Sequence, residues 1–198
     1  MPTDTWDDFA AAWDTEPDVQ QYAEKAYESW QRRVAPLIEN VNEIRALDFG
    51  CGTGLLTEKL APHCHDIVAV DSSGGMIDVL DSKIAESGPG NVSSLVATID
   101  QNSIRANPDL LSKFDLVVAS SVCSFLPDFE ETLCDIATIM NPGSIFVHWD
   151  WLEDLPVDTV RAAFSKAGLN CVRVDKEFEM DGRSGPASVV MGIGQLVV

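Results

Sequence analysis

The run Asp48-Phe49-Gly50-Cys51-Gly52-Thr53-Gly54 carries the densest chemical signal in the chain. Glycines at alternate positions let backbone approach a ligand closely, because no side chain intervenes. The carboxylate just upstream can accept hydrogen bonds from such a turn or from a cationic ligand group. The spacing is not that of a dinucleotide fingerprint, whose third glycine falls at the sixth position; counting from Gly50, that place is Leu55. Further carboxylates follow apolar runs: Asp71 after residues 67–70, Asp100 after 92–99, and Asp150 after 144–149. An acid at a strand's carboxyl end can face a ligand bound outside the sheet, and it can equally cap the next helix. Around Asp150 the order is His148-Trp149-Asp150-Trp151. Strand alternation puts His148 and Asp150 on one face and the two indoles on the other. An imidazole and a carboxylate there are candidate proton acceptors; a packed core histidine and a capping aspartate are the structural alternatives.

These groups need a scaffold, and from Ile44 the chain reads as alternating strand and helix. Residues 44–48, 67–70, 92–99, 114–119 and 144–149 read as strands. Residues 55–60, 72–84, 127–140 and 157–167 read as helices, with Asn141-Pro142-Gly143 and Gly168 as stops. Five strands alternating with helices require right-handed crossovers and give a parallel sheet buried on both faces. Residues 169–180 and 187–198, joined by a turn over 181–186, form a closing antiparallel pair. Ahead of this lie two predicted helices, 6–12 and 19–38, the second capped by Asp18. Trp6, Trp13, Tyr22, Tyr27 and Trp30 lie on them. Such rings either dock the helices or form a lid over a ligand.

At 198 residues the chain can bury a core as one domain without disulfides or metal. Its net charge of −19 repels phosphate backbones, so a nucleic-acid partner is not expected. No apolar stretch is long enough to span a bilayer, and the acidic start M-P-T-D-T-W-D-D lacks a signal peptide's layout. A cytoplasmic protein without a membrane partner is expected. Five scattered cysteines with no Cys-x-x-Cys pair read as reduced thiols. His63 and His65 flank Cys64, but neighbours at that spacing seldom converge, so no metal is expected.

Together, the Asp-x-Gly-x-Gly-x-Gly pattern, the acids at successive strand ends, the segment F-D-L-V-V-A-S-S-V-C-S-F-L-P-D (114–128) and the late hairpin resemble class I S-adenosylmethionine-dependent methyltransferases. The resemblance covers residues 44–198. It implies an α/β, Rossmann-like, doubly wound seven-stranded sheet, mostly parallel with an antiparallel C-terminal hairpin. Residues 1–198 would be a single methyltransferase domain, with 1–40 as N-terminal cap helices and 44–198 as the cofactor-binding core. It further implies that Asp71 binds the ribose hydroxyls of S-adenosylmethionine. Asp100, with Gln101 adjacent, would hold the adenine amino group, and Asp48 would organise the glycine loop and the methionine amino end. Gly50, Cys51, Gly52, Gly54, Ser72, Met76 and Ser120 complete the implied cofactor contacts.

Methyl transfer is an in-line displacement from a sulfonium, catalysed mainly by alignment in a dry pocket. A base is needed only for an acceptor that arrives protonated, and Asp150 and His148 are the catalytic candidates. The family's Asn/Asp-Pro-Pro-Tyr/Phe motif for exocyclic amines is absent where Ser120-Ser121-Val122-Cys123 stands. A small-molecule acceptor is therefore expected, on a monomer or homodimer, and Cys123 reads as a packing cysteine. Two other readings stay open. One is a catalytically silent cofactor-binding domain that serves as an interaction partner. The other is a nicotinamide-dependent oxidoreductase, against which stand the glycine spacing and the lack of a Ser/Tyr-x-x-x-Lys arrangement.

Overall fold

In the computed structural model, which describes residues 4–40, 43–182 and 185–197, seven strands form one mixed sheet. They are β1 (Arg45–Phe49), β2 (Asp66–Asp71), β3 (Val92–Val96), β4 (Phe114–Ser120), β5 (Met140–Trp151), β6 (Leu169–Gly182) and β7 (Gly185–Leu196). Their order is β3-β2-β1-β4-β5-β7-β6. The pairs β1–β2, β2–β3 and β4–β5 are parallel, whereas β7 runs antiparallel to both β5 and β6. This is the doubly wound, Rossmann-like architecture with an antiparallel closing hairpin. Within the expected turn 181–186, positions 183–184 lie outside the described residues. The chain divides into two compact units, Met1–Thr98 and Ile99–Val198.

The first unit carries β1 to β3 with four helices, α1 (Asp4–Trp13), α2 (Pro17–Arg33), α3 (Leu55–Leu60) and α4 (Gly74–Ser87). Ala46, Leu47, Val68, Ala69 and Val70 are buried, as the unbroken apolar runs require of strands covered on both faces. Leu80 of α4 is fully buried against Ala69 and Ile77, a burial that stabilises by about 1.5–3 kcal/mol. The second helix is shorter than its predicted span of 19–38. It ends at Arg33, and Ala35–Leu37 forms a 3-10 turn. Pro36 explains this, since it lacks an N–H and disfavours helical geometry before it. The cap is Glu16 rather than Asp18, because Pro17 takes the first helical position.

The second unit carries β4 to β7 with α5 (Gln101–Ala106), α6 (Pro108–Leu111), α7 (Phe129–Thr138) and α8 (Val157–Lys166). Phe114, Leu116, Val117, Val118, Leu133, Phe146 and Phe164 are its buried core. Two expectations are corrected here. The third strand stops at Val96 rather than Ile99, because Val96 pairs with Asp71, the last residue of β2, and the partner runs out. Asn141-Pro142-Gly143 does not end a helix that runs to 140. It lies inside β5, where the register slips between the pairs Phe114–Met140 and Leu116–Ile145.

Candidate functional site

The turn from β1 to α3 is built from left-handed backbone. Gly50, Gly52 and Gly54 have φ of 70°, 55° and 86°, conformations that cost an L-residue about 1–2 kcal/mol each. At Gly54 there is also no space, since a Cβ would stand 2.4 Å from Leu80 Cδ1. The amides of Gly50 and Cys51 donate to the Val70 carbonyl at 2.8 and 3.1 Å, which ties the turn to the end of β2.

Two carboxylates support this turn. Asp48 is buried beneath it and accepts from the Thr57 hydroxyl at 2.6 Å. Burial, partly countered by that bond, pushes its pKa up to about 7. Asp71 accepts from the N–H groups of Gly52 and Ser73, both at 2.9 Å, and so clamps the glycine turn to the start of α4. Burial raises its pKa, and the amide bonds oppose the rise. The cap of α4 is Ser73, whose Oγ accepts from Met76 N–H at 3.1 Å. The sequence predicts this helix from Ser72, two residues before its observed start at Gly74; Ser72 is half-buried and Met76 is buried. The Cys51 thiol is pushed up by burial, so it packs rather than attacks.

The first helix lies on this same turn. Asp7 of α1 accepts from Gly75 N–H at 2.8 Å and from the Ser73 hydroxyl. Asp14, just past α1, accepts from the Thr53 hydroxyl and from Lys83 Nζ, the latter at 3.0 Å. Lys83 also donates to the Thr53 carbonyl at 3.0 Å and pairs with Glu58 at 2.9 Å. Trp13 Nε1 lies 3.8 Å from where a Cβ on Gly52 would be, with Trp6 edge-on to Trp13. Sequence reasoning placed the indoles on this helix but missed Asp7, Asp14 and Ser73. No local signal separates those two acids from the rest of the thirty-two in the chain.

The second unit holds the remaining predicted residues. Asp100 caps α5, accepting from Asn102 and Ser103 N–H at 2.8 and 2.9 Å. Gln101 donates to Asp135 at 2.8 Å. Ser120 closes β4, and Ser121 after it has a left-handed φ of 54°. Such a non-glycine outlier costs about 1–3 kcal/mol and is typical of ligand-facing turns. Asp150 lies inside β5 rather than after it, fully buried, and accepts from Cys123 and Ser124 N–H at 2.8 and 3.3 Å. Burial raises its pKa. His148 is fully buried among Phe129, Phe146 and Phe164. Burial lowers its pKa to about 3, so the ring is neutral at physiological pH. His148 and Asp150 share a face, as alternation predicted, and meet Cys123 there.

A family model described as a methyltransferase domain matches residues 47–146, half of the chain. An uncharacterised methyltransferase of Schizosaccharomyces pombe is 31% identical over 104 residues, covering 51% of this chain and 37% of that protein. Magnesium-protoporphyrin O-methyltransferase of Rhodobacter capsulatus is 33% identical over 112 residues, covering 56% and 47%. The chain thus spans less than half the length of these curated relatives. The crystal structure of a SAM-dependent methyltransferase from Aquifex aeolicus superposes over 100% of both chains with a TM-score of 0.71 at 14% identity, a likeness of fold.

Proposed function

The chain belongs to the methyltransferase-domain family, and we propose that it transfers the methyl group of S-adenosylmethionine to a small-molecule acceptor. The observation that carries this reading is the Asp71 clamp on a turn of three left-handed glycines. A carboxylate offers about four acceptor positions, so two amide bonds leave capacity for a ribose diol. The bare backbone of Gly52 lets a ligand pass close to the turn. A pyrophosphate would instead meet the carboxylates of Asp71 and Asp7 around the same turn, a poor place for more negative charge.

In this reading Asp48 fixes the turn through Thr57, and Gly50, Cys51, Gly52 and Gly54 present the backbone to the methionine end. Ser72 and Met76 flank the ribose position. In the second unit the same reading assigns Asp100, with Gln101, to the adenine amino group and Ser120 to a cofactor contact. The cofactor supplies an electrophilic methyl on a positively charged sulfur. The chain's part is to bind, align and exclude water. Asp150 and His148 serve turnover as positioning residues. Neither is exposed, and Asp150 holds the Cys123–Phe125 turn through two amides.

A small acceptor is supported by the net charge of −19, which disfavours nucleic acid. It is also supported by the relative named for a porphyrin O-methylation. No described helix is long and apolar enough to cross a membrane. The free cysteines suit a reducing cytoplasm, where we place the reaction. Calorimetric titration with S-adenosylmethionine and with a nicotinamide dinucleotide tests the cofactor; binding only the dinucleotide refutes the proposal. Labelled methyl donor with a metabolite extract then tests turnover. A protein that binds the donor and labels nothing is the silent binding domain instead.

A further inference from the structure

Three chemistry-bearing side chains meet in the interior of the second unit. Cys123 opens the turn after β4, and His148 and Asp150 stand on one face of β5. Their exposures are 2%, 0% and 0%. The thiol sulfur, a ring nitrogen and a carboxylate oxygen all lie within 4.8 Å of one another. Some point therefore lies within about 2.8 Å of all three atoms. Zinc bonds run about 2.3 Å to sulfur and 2.0–2.2 Å to nitrogen or oxygen. Closing onto one ion thus takes adjustments of less than about 1 Å.

One feature of the cluster goes unexplained by packing. Among the described residues, neither ring nitrogen of His148 has a hydrogen-bond partner, although buried polar atoms are ordinarily paired. The fold nevertheless makes room for this ring. Gly192 faces it from β7, and a Cβ there would lie 2.5 Å from Nε2. In addition, the Asp150 carboxylate is already oriented by the amides of Cys123, Ser124 and Trp151. Outer hydrogen bonds of this kind hold a ligating carboxylate in place.

We propose that Cys123, His148 and Asp150 bind a divalent zinc-class ion that pins the turn after β4 to β5. A thiolate and a carboxylate neutralise the dication, and imidazole binds uncharged. The loaded site carries no net charge, as a position walled by Phe129, Phe146 and Phe164 requires. Binding releases the thiol proton to solvent. Sulfur and nitrogen donors select zinc over magnesium or calcium, which take oxygen. Three protein ligands leave a fourth position to water.

The test is elemental analysis of the full chain, expressed with zinc in the medium and purified without chelator. About one zinc per chain is expected. Cobalt-loaded protein should show a near-ultraviolet thiolate-to-cobalt band and the intense visible bands of a tetrahedral site. Cys123→Ser should abolish the first, and His148→Phe, which keeps an aromatic ring in the pocket, should stay folded by circular dichroism and hold no metal. Folded wild-type protein with less than about a tenth of an ion per chain and no cobalt band overturns the proposal. So does zinc that persists undiminished in both variants. No cofactor or acceptor enters the measurement, so it stands or falls apart from the methyltransferase reading.

Discussion

The Asp7 carboxylate accepts a hydrogen bond from the Gly75 amide at 2.8 Å, joining the first helix to the start of α4 across sixty-eight positions of sequence. Its second partner, the Ser73 hydroxyl, is itself the cap of α4. The first helix is thereby fastened to the segment that carries Asp71.

Asp7→Ala should therefore loosen α1 while leaving the sheet intact. Hydrogen exchange should quicken across residues 6–13, with protection of β1 and β2 unchanged, and cofactor should dissociate faster. The bonds from Ser73 and Gly75 hold the Asp7 carboxyl below its ordinary value of 3.8. Because that pKa is lowered on folding, the fastening is present above pH 3.8 and is lost as the pH falls through the lowered value. Exchange in α1 that is identical in the variant and the wild type would dismiss the fastening.

Asp71→Ala should weaken S-adenosylmethionine binding by about 1.5–3 kcal/mol, the scale of lost charge-assisted hydrogen bonds. Calorimetry reads the affinity, and circular dichroism checks the fold. An unchanged affinity would reduce Asp71 to a structural clamp on Gly52 and Ser73.

Asp48 should make the protein less stable as the pH rises. Burial raises its folded pKa from 3.8 to about 7, so between those values the folded state holds a proton the unfolded chain has released. Stability from this group is fully present below 3.8 and declines toward 7, by at most about 1.4 kcal/mol per pH unit. Asp48→Asn retains an acceptor for Thr57 and cannot ionise. Urea unfolding of both proteins across this range should show a flatter profile for the variant; parallel profiles would contradict the shift.

Gly54→Ala should destabilise by about 2–4 kcal/mol, through left-handed strain together with overpacking. The new methyl would stand 2.4 Å from Leu80 Cδ1 at a φ of 86°. Combining it with Leu80→Ala should relieve the clash but leave the backbone cost. A midpoint in urea unchanged from wild type would show that the turn readily adopts another conformation.

Much of this was legible in the sequence because its causes are local. The runs 67–70 and 114–119 announce strands buried on both faces, and β2 and β4 lie there. The alternate glycines mark a loop whose backbone lies bare, and in the fold all three adopt left-handed conformations. Strand alternation put His148 and Asp150 on a shared face, where they meet Cys123. Pro36 is equally a local signal, and it ends the second helix at Arg33 rather than at residue 38.

Other features were decided only when distant segments met. Residues 97–99 have strand-like composition, but β3 ends at Val96 because its partner ends at Asp71. That leaves Asp100 to cap α5, a helix no periodicity announced. Asp7 and Asp14 resemble every other surface acid until α1 docks on the glycine turn and meets Ser73, Gly75 and Thr53. The sequence alone determined that His148 would sit in an apolar strand. That both its nitrogens lack partners among the described residues, beside a thiol and a carboxylate, was decided by the pairing of β5 with β7 and by the turn after β4. Hydrophobic pattern is written residue by residue along the chain. Hydrogen-bond partners are chosen in space, by register and docking, and nothing in a single segment carries that choice.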